Sequence, residues 1–213
     1  EYFKEKGIYA VSIDSRNKGS MKAVSAAITE ACKVKTERDR RRGIKNRPVR
    51  AMVAGIPNVG KSTFINTFAG KACAKTCNKP GVTKGKQWIR LNKSVELLDT
   101  PGILWPKFED QEVGMRLAYI GSIKDDILNI EELALGLIGY LQEFYPAAIR
   151  ERYNVEEELK PLDILTAVAK ARGCLKKGEE LDYEKASRLL LEEFRSGKLG
   201  KVTLEFPKGP EEA

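Results

Sequence analysis

Residues 55–62 read Gly-Ile-Pro-Asn-Val-Gly-Lys-Ser and match the phosphate-binding pattern G-x-x-x-x-G-K-S/T. A short apolar run at 51–54 precedes the match and predicts a buried strand. The segment at 62–69 carries apolar residues one helical turn apart and stops before Gly70, which predicts a helix. A glycine loop between a strand and a helix gathers backbone N–H groups at the positive end of the helix dipole. The stretch therefore predicts a nucleoside-phosphate site, to which Lys61 adds a positive charge.

Length and composition restrict the class of protein. The chain has 213 residues, 42% of them hydrophobic, which suffices for one core or for one core and a smaller second domain. Its net charge of +8 favours a polyanionic partner. No run of about 18 apolar residues and no secretory segment is present, so we expect a cytoplasmic protein with no membrane partner. Because it opens at Glu1 rather than methionine, we expect a fragment of a longer protein.

The cysteines do not form a recognisable metal motif. Cys73 and Cys77 are four residues apart, but the chain offers no second such pair and no histidine to complete a zinc site. The other two are Cys32 and Cys174. We expect reduced thiols and assign them no function.

Two features after the phosphate loop favour a γ-phosphate sensor. Thr83 stands in a Pro-Gly-Val-Thr context, and Asp99 opens the sequence Asp-Thr-Pro-Gly. Segments 87–91 and 94–98 predict an antiparallel strand pair that delivers the chain to Asp99. A threonine that can bind Mg²⁺, followed by an aspartate and a glycine N–H at a strand end, can order when a third phosphate is present. A kinase would need a substrate site and a lid, and the sequence offers no candidate for either.

The rest of the chain suggests two domains. Residues 8–13 predict a strand, and the apolar spacing over 24–34 predicts a helix. Beyond the sensor, apolar spacing predicts helices over 113–120 and 130–144, the second of them capped by Asn129. A further helix starts at Pro161 and stops at Gly173, and another starts behind Asp182 and stops at Gly197. We expect a nucleotide-binding domain at 1–121 and a small helical domain at 122–213.

A basic stretch lies between the first helix and the phosphate loop. Residues 33–50 hold nine Lys or Arg against two acids. The stretch fits a solvated helix end and linker, and it equally fits a contact with the phosphate backbone of RNA.

The phosphate loop and the Asp-Thr-Pro-Gly segment resemble those of translation-factor-type GTPases, which select guanine with an Asn-Lys-x-Asp box. That box is missing from this sequence. The three Asn-Lys pairs, at residues 17, 78 and 92, all lack the aspartate two places later that an Asn-Lys-x-Asp box requires. The segment that normally follows this box stands in front of the phosphate loop instead. There, the predicted strand ends at Asp14 and Ser15, followed by Gly19 and a helix, which looks like the loop that backs a guanine ring.

This order resembles the circularly permuted ribosome biogenesis GTPase A family (RbgA, also called YlqF). The resemblance covers nearly the full chain and is most specific at 55–63, 80–88 and 99–110. It implies an α/β P-loop GTPase fold, Rossmann-like with a mostly parallel sheet, and a small C-terminal α-helical domain that contacts ribosomal RNA. It also implies a GTP-hydrolysing assembly factor for the large ribosomal subunit, no DNA partner, and a base box upstream of Glu1.

The resemblance further implies roles for individual residues. The base would contact Asp14 and Ser15. The phosphates would be held by Asn58, Val59, Gly60, Lys61, Ser62, Thr63 and Gly102. Mg²⁺ would be bound by Ser62, Thr83 and Asp99, the last through water. The catalytic contacts to the γ-phosphate would come from Lys61, Thr83 and Gly102.

The residue after Gly102 bears on the rate of hydrolysis. Signalling GTPases carry a glutamine there that orients the attacking water, whereas Ile103 has no side-chain donor or acceptor. In related GTPases an asparagine at the position of Asn58 is associated with a bound potassium ion. We therefore expect slow GTP hydrolysis, stimulated by potassium and by the ribosomal particle. The alternatives are an RNA-docking module whose nucleotide is a conformational ligand, and a P-loop ATPase or kinase.

Overall fold

The computed structural model describes residues 2–44, 47–74, 87–90, 95–104, 108–155 and 159–206. The chain divides into two compact units, Glu1–Leu104 and Trp105–Ala213. This division falls earlier than the boundary expected after residue 121, because Ala118 and Tyr119 are buried in the core of the second unit. Among the described helices, none combines the length and the apolar character needed to cross a bilayer.

A three-stranded sheet forms the centre of the first unit. Its strands are β1 (Val49–Val53), β2 (Gln87–Arg90) and β3 (Val95–Asp99), in the order β1-β3-β2. β1 runs parallel to β3 and β2 runs antiparallel to it, which confirms the predicted antiparallel pair. In the parallel pair Val53 lies opposite Asp99, so the phosphate loop and the Asp-Thr-Pro-Gly segment leave the sheet at the same edge.

The described part of the first unit contains four helices. They are α1 (Tyr2–Glu5), α2 (Met21–Ala31), α3 (Lys33–Arg41) and α4 (Lys61–Ala69), and a 3₁₀ turn at Lys18–Ser20 precedes α2. α4 confirms the helix predicted after the phosphate loop, and it ends at Gly70 with a left-handed φ of 69°. Its Ile65 is fully buried and forms the core of the unit with Ile89 and Leu97. This packing fixes the helix start, and with it the loop, against the sheet.

The strand predicted at residues 8–13 is wrong. These residues belong to no strand and are mostly exposed, with Ile8 52% and Tyr9 59% exposed. Apolar, β-prone composition describes a residue's preference, but a strand also needs a neighbouring strand to pair with its backbone. None of the sheet pairs described for the chain involves this segment.

The second unit is helical, as the sequence predicts. Its helices are α5 (Gln111–Tyr119), α6 (Ile130–Phe144), α7 (Pro146–Tyr153), α8 (Pro161–Ala171) and α9 (Tyr183–Arg195). The predicted cap of α6 is confirmed, because the Asn129 side chain accepts the N–H of Glu132. α7 was not predicted, since it is only eight residues long and follows α6 after a single residue. The centre of α6 supplies the fully buried Leu137, Ile138 and Leu141.

A buried carboxylate connects three elements of this second unit. Glu193 of α9 is 6% exposed and accepts hydrogen bonds from Arg152 at 2.8 and 2.9 Å and from the Tyr153 hydroxyl at 2.8 Å. Arg172 adds an ion pair at 3.2 Å. The hydrogen bond from Arg152, with help from Tyr153 and Arg172, outweighs burial and lowers the pKa of Glu193 from 4.5 to about 2. Removing the charge would leave two guanidinium groups without their partner.

We expect Glu193→Gln to lower the free energy of unfolding by about 3 kcal/mol at neutral pH, because it breaks a buried ion pair from one side. The folded pKa lies below the unfolded one, so the unfolded state binds more protons between about pH 4.5 and pH 2. The parent should therefore lose stability as pH falls through this window, and the variant should lose less. Urea unfolding across this pH range measures both effects.

The matched control is Glu184→Gln on the same helix. Glu184 pairs with Arg188 at 3.0 Å, but its side chain is 60% exposed. We expect this control to stay within about 0.5 kcal/mol of the parent. Equal stabilities for the two variants would contradict a structural role for the Glu193 cluster.

Candidate functional site

The phosphate loop turns sharply between β1 and α4. Asn58 and Gly60 adopt left-handed φ values of 60° and 90°, which glycine and asparagine tolerate best. The first helical hydrogen bond runs from the N–H of Phe64 to the carbonyl of Gly60 at 2.8 Å. The N–H groups of residues 60–63 precede it and have no acceptor within the helix. These residues were predicted to hold the phosphates, and the helix start leaves their donors available for an anion.

The Lys61 side chain folds back over this loop. Its Nζ donates to the carbonyl oxygens of Gly55 at 3.0 Å and Ile56 at 2.7 Å. Burial lowers the pKa of Lys61, and the charge of Asp99 partly opposes that effect. Two carbonyls thus hold the ammonium group at the loop, and a third donor proton remains for a ligand.

Asp99 lies at the end of β3 and is 2% exposed. Burial raises the pKa of Asp99, whereas the Lys61 charge and the Thr100 backbone N–H lower it in part. Its Oδ1 is buried, with no hydrogen-bond partner in the described part of the chain. Buried carboxylate oxygens normally accept a hydrogen bond or bind an ion, so we expect a donor, an ion or an ordered water at Oδ1 of Asp99.

The site fits a magnesium ion of the kind that accompanies a nucleotide. No cluster of three or more His, Cys, Asp or Glu that could hold a metal occurs within the described ranges. Mg²⁺ at nucleotide sites uses one or two protein oxygens together with phosphates and water, so it needs no such cluster. Asp99 supplies an unpartnered oxygen and Ser62, in the first turn of α4, supplies a hydroxyl. Thr83, the third predicted ligand, lies outside the described residues.

Gly102 lies directly against the phosphate loop. A Cβ at this position would come within 2.5 Å of Pro57 Cα, 2.6 Å of Pro57 N and 3.0 Å of Lys61 Nζ. The Thr100 hydroxyl, two residues earlier, donates to the carbonyl of Val53 at 2.7 Å. The two segments therefore meet through one hydrogen bond and one backbone contact. The structure brings Lys61, Asp99 and Gly102 together.

The residues predicted to contact the base lie apart from this cluster in sequence. Asp14 is exposed in a turn, where its carboxylate accepts the N–H of Arg16 at 2.9 Å. Ser15 is partly buried in the same turn. The turn leads through the 3₁₀ segment into α2.

Sequence reasoning missed two residues that position the site. The Asp-Thr-Pro-Gly motif gives no role of its own to Thr100, yet the Thr100 hydroxyl joins the two loops. Asn66 of α4 donates to the carbonyl of Ala74 at 2.8 Å and accepts the N–H groups of Cys73 at 2.9 Å and Ala74 at 2.7 Å. It thereby fixes residues 73–74, which follow α4, against that helix. The available signal was an asparagine inside a helix, where its side chain competes for backbone groups.

Comparisons with known proteins agree with this geometry. A sequence model described as 50S ribosome-binding GTPase matches residues 50–168. The chain is 50% identical over 208 residues to a protein of Bacillus cereus named Ribosome biogenesis GTPase A, covering 97% of this chain and 70% of that protein. It is also similar to a GDP-bound structure of TM YlqF, with a TM-score of 0.63, 25% identity, and coverage of 97% and 74% of the two chains. A GNP-bound YlqF from T. maritima gives a TM-score of 0.60 at 26% identity, covering 96% and 72%.

We expect Gly102→Ala to weaken nucleotide binding by roughly tenfold or more, about 1.4 kcal/mol. The added methyl group would meet the backbone of Pro57, which cannot move aside as a flexible side chain could. Titration with a fluorescent nucleotide measures the affinity.

Gly139→Ala in α6 is the matched control. A Cβ at Gly139 would have no atom within 4 Å, so nucleotide affinity should stay unchanged while stability rises by up to about 1 kcal/mol. Unchanged affinity in the Gly102 variant would show that the close approach of the two loops is not needed for binding.

Proposed function

The chain belongs to the 50S ribosome-binding GTPase family, and we propose that it hydrolyses GTP as an assembly factor for the large ribosomal subunit. The family resemblance inferred from its motifs is confirmed, and so is the α/β P-loop GTPase fold. The observation that carries the proposal is the meeting of Gly102 with Pro57 and Lys61 beside the buried Asp99. A γ-phosphate sensor needs this juxtaposition of a phosphate loop and a second loop.

The proposed nucleotide contacts follow from the loop and the helix start. The N–H groups of residues 60–63 and the Lys61 ammonium bind the α- and β-phosphates, and Lys61 also reaches the γ-phosphate. Asn58 and Val59 complete the loop around the phosphates, and Gly102 offers its N–H to the γ-phosphate. Asp14 and Ser15 contact the guanine base from their turn.

The proposed Mg²⁺ ligands are the Ser62 and Thr83 hydroxyls, with Asp99 holding the ion through water. When bound, the ion neutralises charge on the β- and γ-phosphates. The unpartnered Oδ1 of Asp99 supports this role, because a water ligand of the ion would satisfy it. Burial raises the pKa of Asp99 and the Lys61 charge offsets this only in part, so a bound cation would add to the effect of Lys61 in favouring the charged carboxylate.

The proposed intrinsic rate is slow. Ile103 is 72% exposed and has no group that could orient or deprotonate water. We assign to Asn58, exposed at the turn of the loop, a bound K⁺ ion that stabilises charge developing during hydrolysis. The ribosomal particle would supply the rest of the acceleration.

The proposed partners are the large ribosomal subunit and its rRNA. The net charge of +8 supports a polyanionic partner, and the family description names the 50S ribosome. Along the chain, the helical unit begins within a few residues of Gly102, so the sensor segment is covalently joined to it. We also assign contact with the rRNA to this helical unit. Ribosome assembly as the role implies action in the cytoplasm.

Turnover of GTP by the full-length protein tests the function. We expect purified large ribosomal subunits to raise the rate at least roughly tenfold, about 1.4 kcal/mol of barrier, in potassium buffer and less in sodium buffer. Lys61→Ala is the control, because loss of the loop cation should abolish tight nucleotide binding. Unstimulated turnover with nucleotide still bound would favour a docking module, and a preference for ADP over GDP would favour an ATPase or kinase.

Ile103→Ala tests the absence of a catalytic side chain after Gly102. We expect a basal rate within about twofold of the parent, or about 0.4 kcal/mol, because the exposed side chain has no polar group to lose. The basal rate is measured without ribosomal subunits. A drop of about tenfold or more would contradict the account of slow intrinsic hydrolysis.

A further inference from the structure

Helix α3 and its C-terminal cap residue, Arg42, together carry half of the excess charge of the chain. Residues 33–42 hold six Lys or Arg and two acids, a net charge of +4 out of the total of +8. None of the residues of α3 is buried. The basic stretch that the sequence left open as a linker or an RNA contact is therefore, over 33–41, an ordered and exposed helix.

The helix has two distinct sides. Lys33 and Arg40, seven residues apart, line a groove of the first unit together with Val49 and Phe68. Val34, Arg38 and Arg41 follow each other at spacings of four and three residues, so they share a second face, about 100° round the helix. Arg38 and Arg41 are exposed, and Val34 is 81% exposed. We call this second side the outer face.

The outer face lacks the usual sources of helix stability. It buries no apolar surface, and none of the ion pairs among the described residues involves Arg38 or Arg41. Like charges three residues apart repel each other by a few tenths of a kcal/mol. Their place near the C-terminus of α3 offsets part of this through the helix dipole. A polyanion laid along the face would remove the repulsion.

The chemistry of the face favours phosphate over other anionic surfaces. Arginine presents a planar fork that binds two phosphate oxygens at once. Val34 is the only apolar residue in α3, so the helix has no hydrophobic stripe to insert into a lipid surface. Arg38 and Arg41 lie about one helical turn apart on α3. The regularly spaced phosphates of a nucleic-acid backbone suit this pair of arginines better than the irregularly spaced carboxylates of an acidic protein surface.

We propose that the outer face of α3, through Arg38 and Arg41, binds the phosphate backbone of RNA on the large ribosomal subunit. The inference rests on the proposed function and adds a specific contact surface in the nucleotide-binding unit. RNA contact is then not confined to the helical unit. These contacts supply affinity and orientation without reading sequence.

The test compares two double variants of the full-length protein, Arg38→Gln/Arg41→Gln and Lys33→Gln/Arg40→Gln. Both remove two charges from the same helix, and glutamine keeps a similar helix propensity. The association constant for an RNA duplex of about 16 base pairs is measured over a series of salt concentrations. We expect the outer-face variant to bind more weakly, with a salt slope lower by about 2, one for each lost phosphate contact. The groove variant should keep the slope of the parent.

Ribosome-stimulated turnover separates this inference from the proposed function. We expect the outer-face variant to need a higher concentration of large subunits for half-maximal stimulation, at an unchanged GDP affinity and basal rate. Equal behaviour of both variants in binding and stimulation, whether both are impaired or neither is, overturns the inference while the function stands. A parent that binds GTP but neither the duplex nor the subunits overturns both. If the parent protein binds an acidic protein surface more tightly than the RNA duplex, the inference is also overturned.

Discussion

The parallel pairing of β1 with β3 is the constraint on which the nucleotide site depends. Its register puts Val53 opposite Asp99, so the chain leaves both strands at one edge of the sheet. From that register follow the Thr100 hydrogen bond to Val53 and the approach of Gly102 to Pro57. A shift of one residue would reverse the faces on which the side chains lie and would break each contact. The buried Ile65 of α4 packs against the same sheet and holds the register from one face.

The helical unit and the nucleotide site each contain a buried carboxylate, and the two carboxylates differ in their hydrogen bonding. Glu193 is surrounded by donors, and the hydrogen bond from Arg152 leads the effects that lower its pKa. Asp99 has an oxygen with no partner among the described residues, and burial raises its pKa. The first arrangement is complete within the protein and favours the folded state. The second leaves a polar atom unsatisfied, and proteins tolerate that mainly where a ligand or ion completes the site.

Signals from neighbouring residues predict most of the helices and strands. The wrong or missing predictions all concern contacts between residues that are far apart in sequence. The caps at Asn129 and Asp182 and the stop at Gly70 depend on neighbouring residues, so the sequence predicts them directly. The strand at 8–13 required a partner that composition cannot reveal. The roles of Asn66 and Thr100 arise from contacts over 8 and 47 residues of sequence, which no motif spacing records. The phosphate loop itself was predictable because its glycines and its lysine act within eight residues.

α2 and α3 join the proposed base contact to the proposed RNA face. Cys32 separates the two helices by one residue, yet its N–H bonds to Ile28 at 3.0 Å and its carbonyl accepts the N–H of Thr36 at 2.9 Å. These two bonds connect the end of α2 to the start of α3, which remain two separate helices because Cys32 adopts φ −97° and ψ 3° between them. The turn with Asp14 and Ser15 precedes one end, and Arg38 and Arg41 lie near the other. Any coupling carried through these two helices is reciprocal, so RNA held at α3 and a base held at the turn would bias each other's binding by equal free energies.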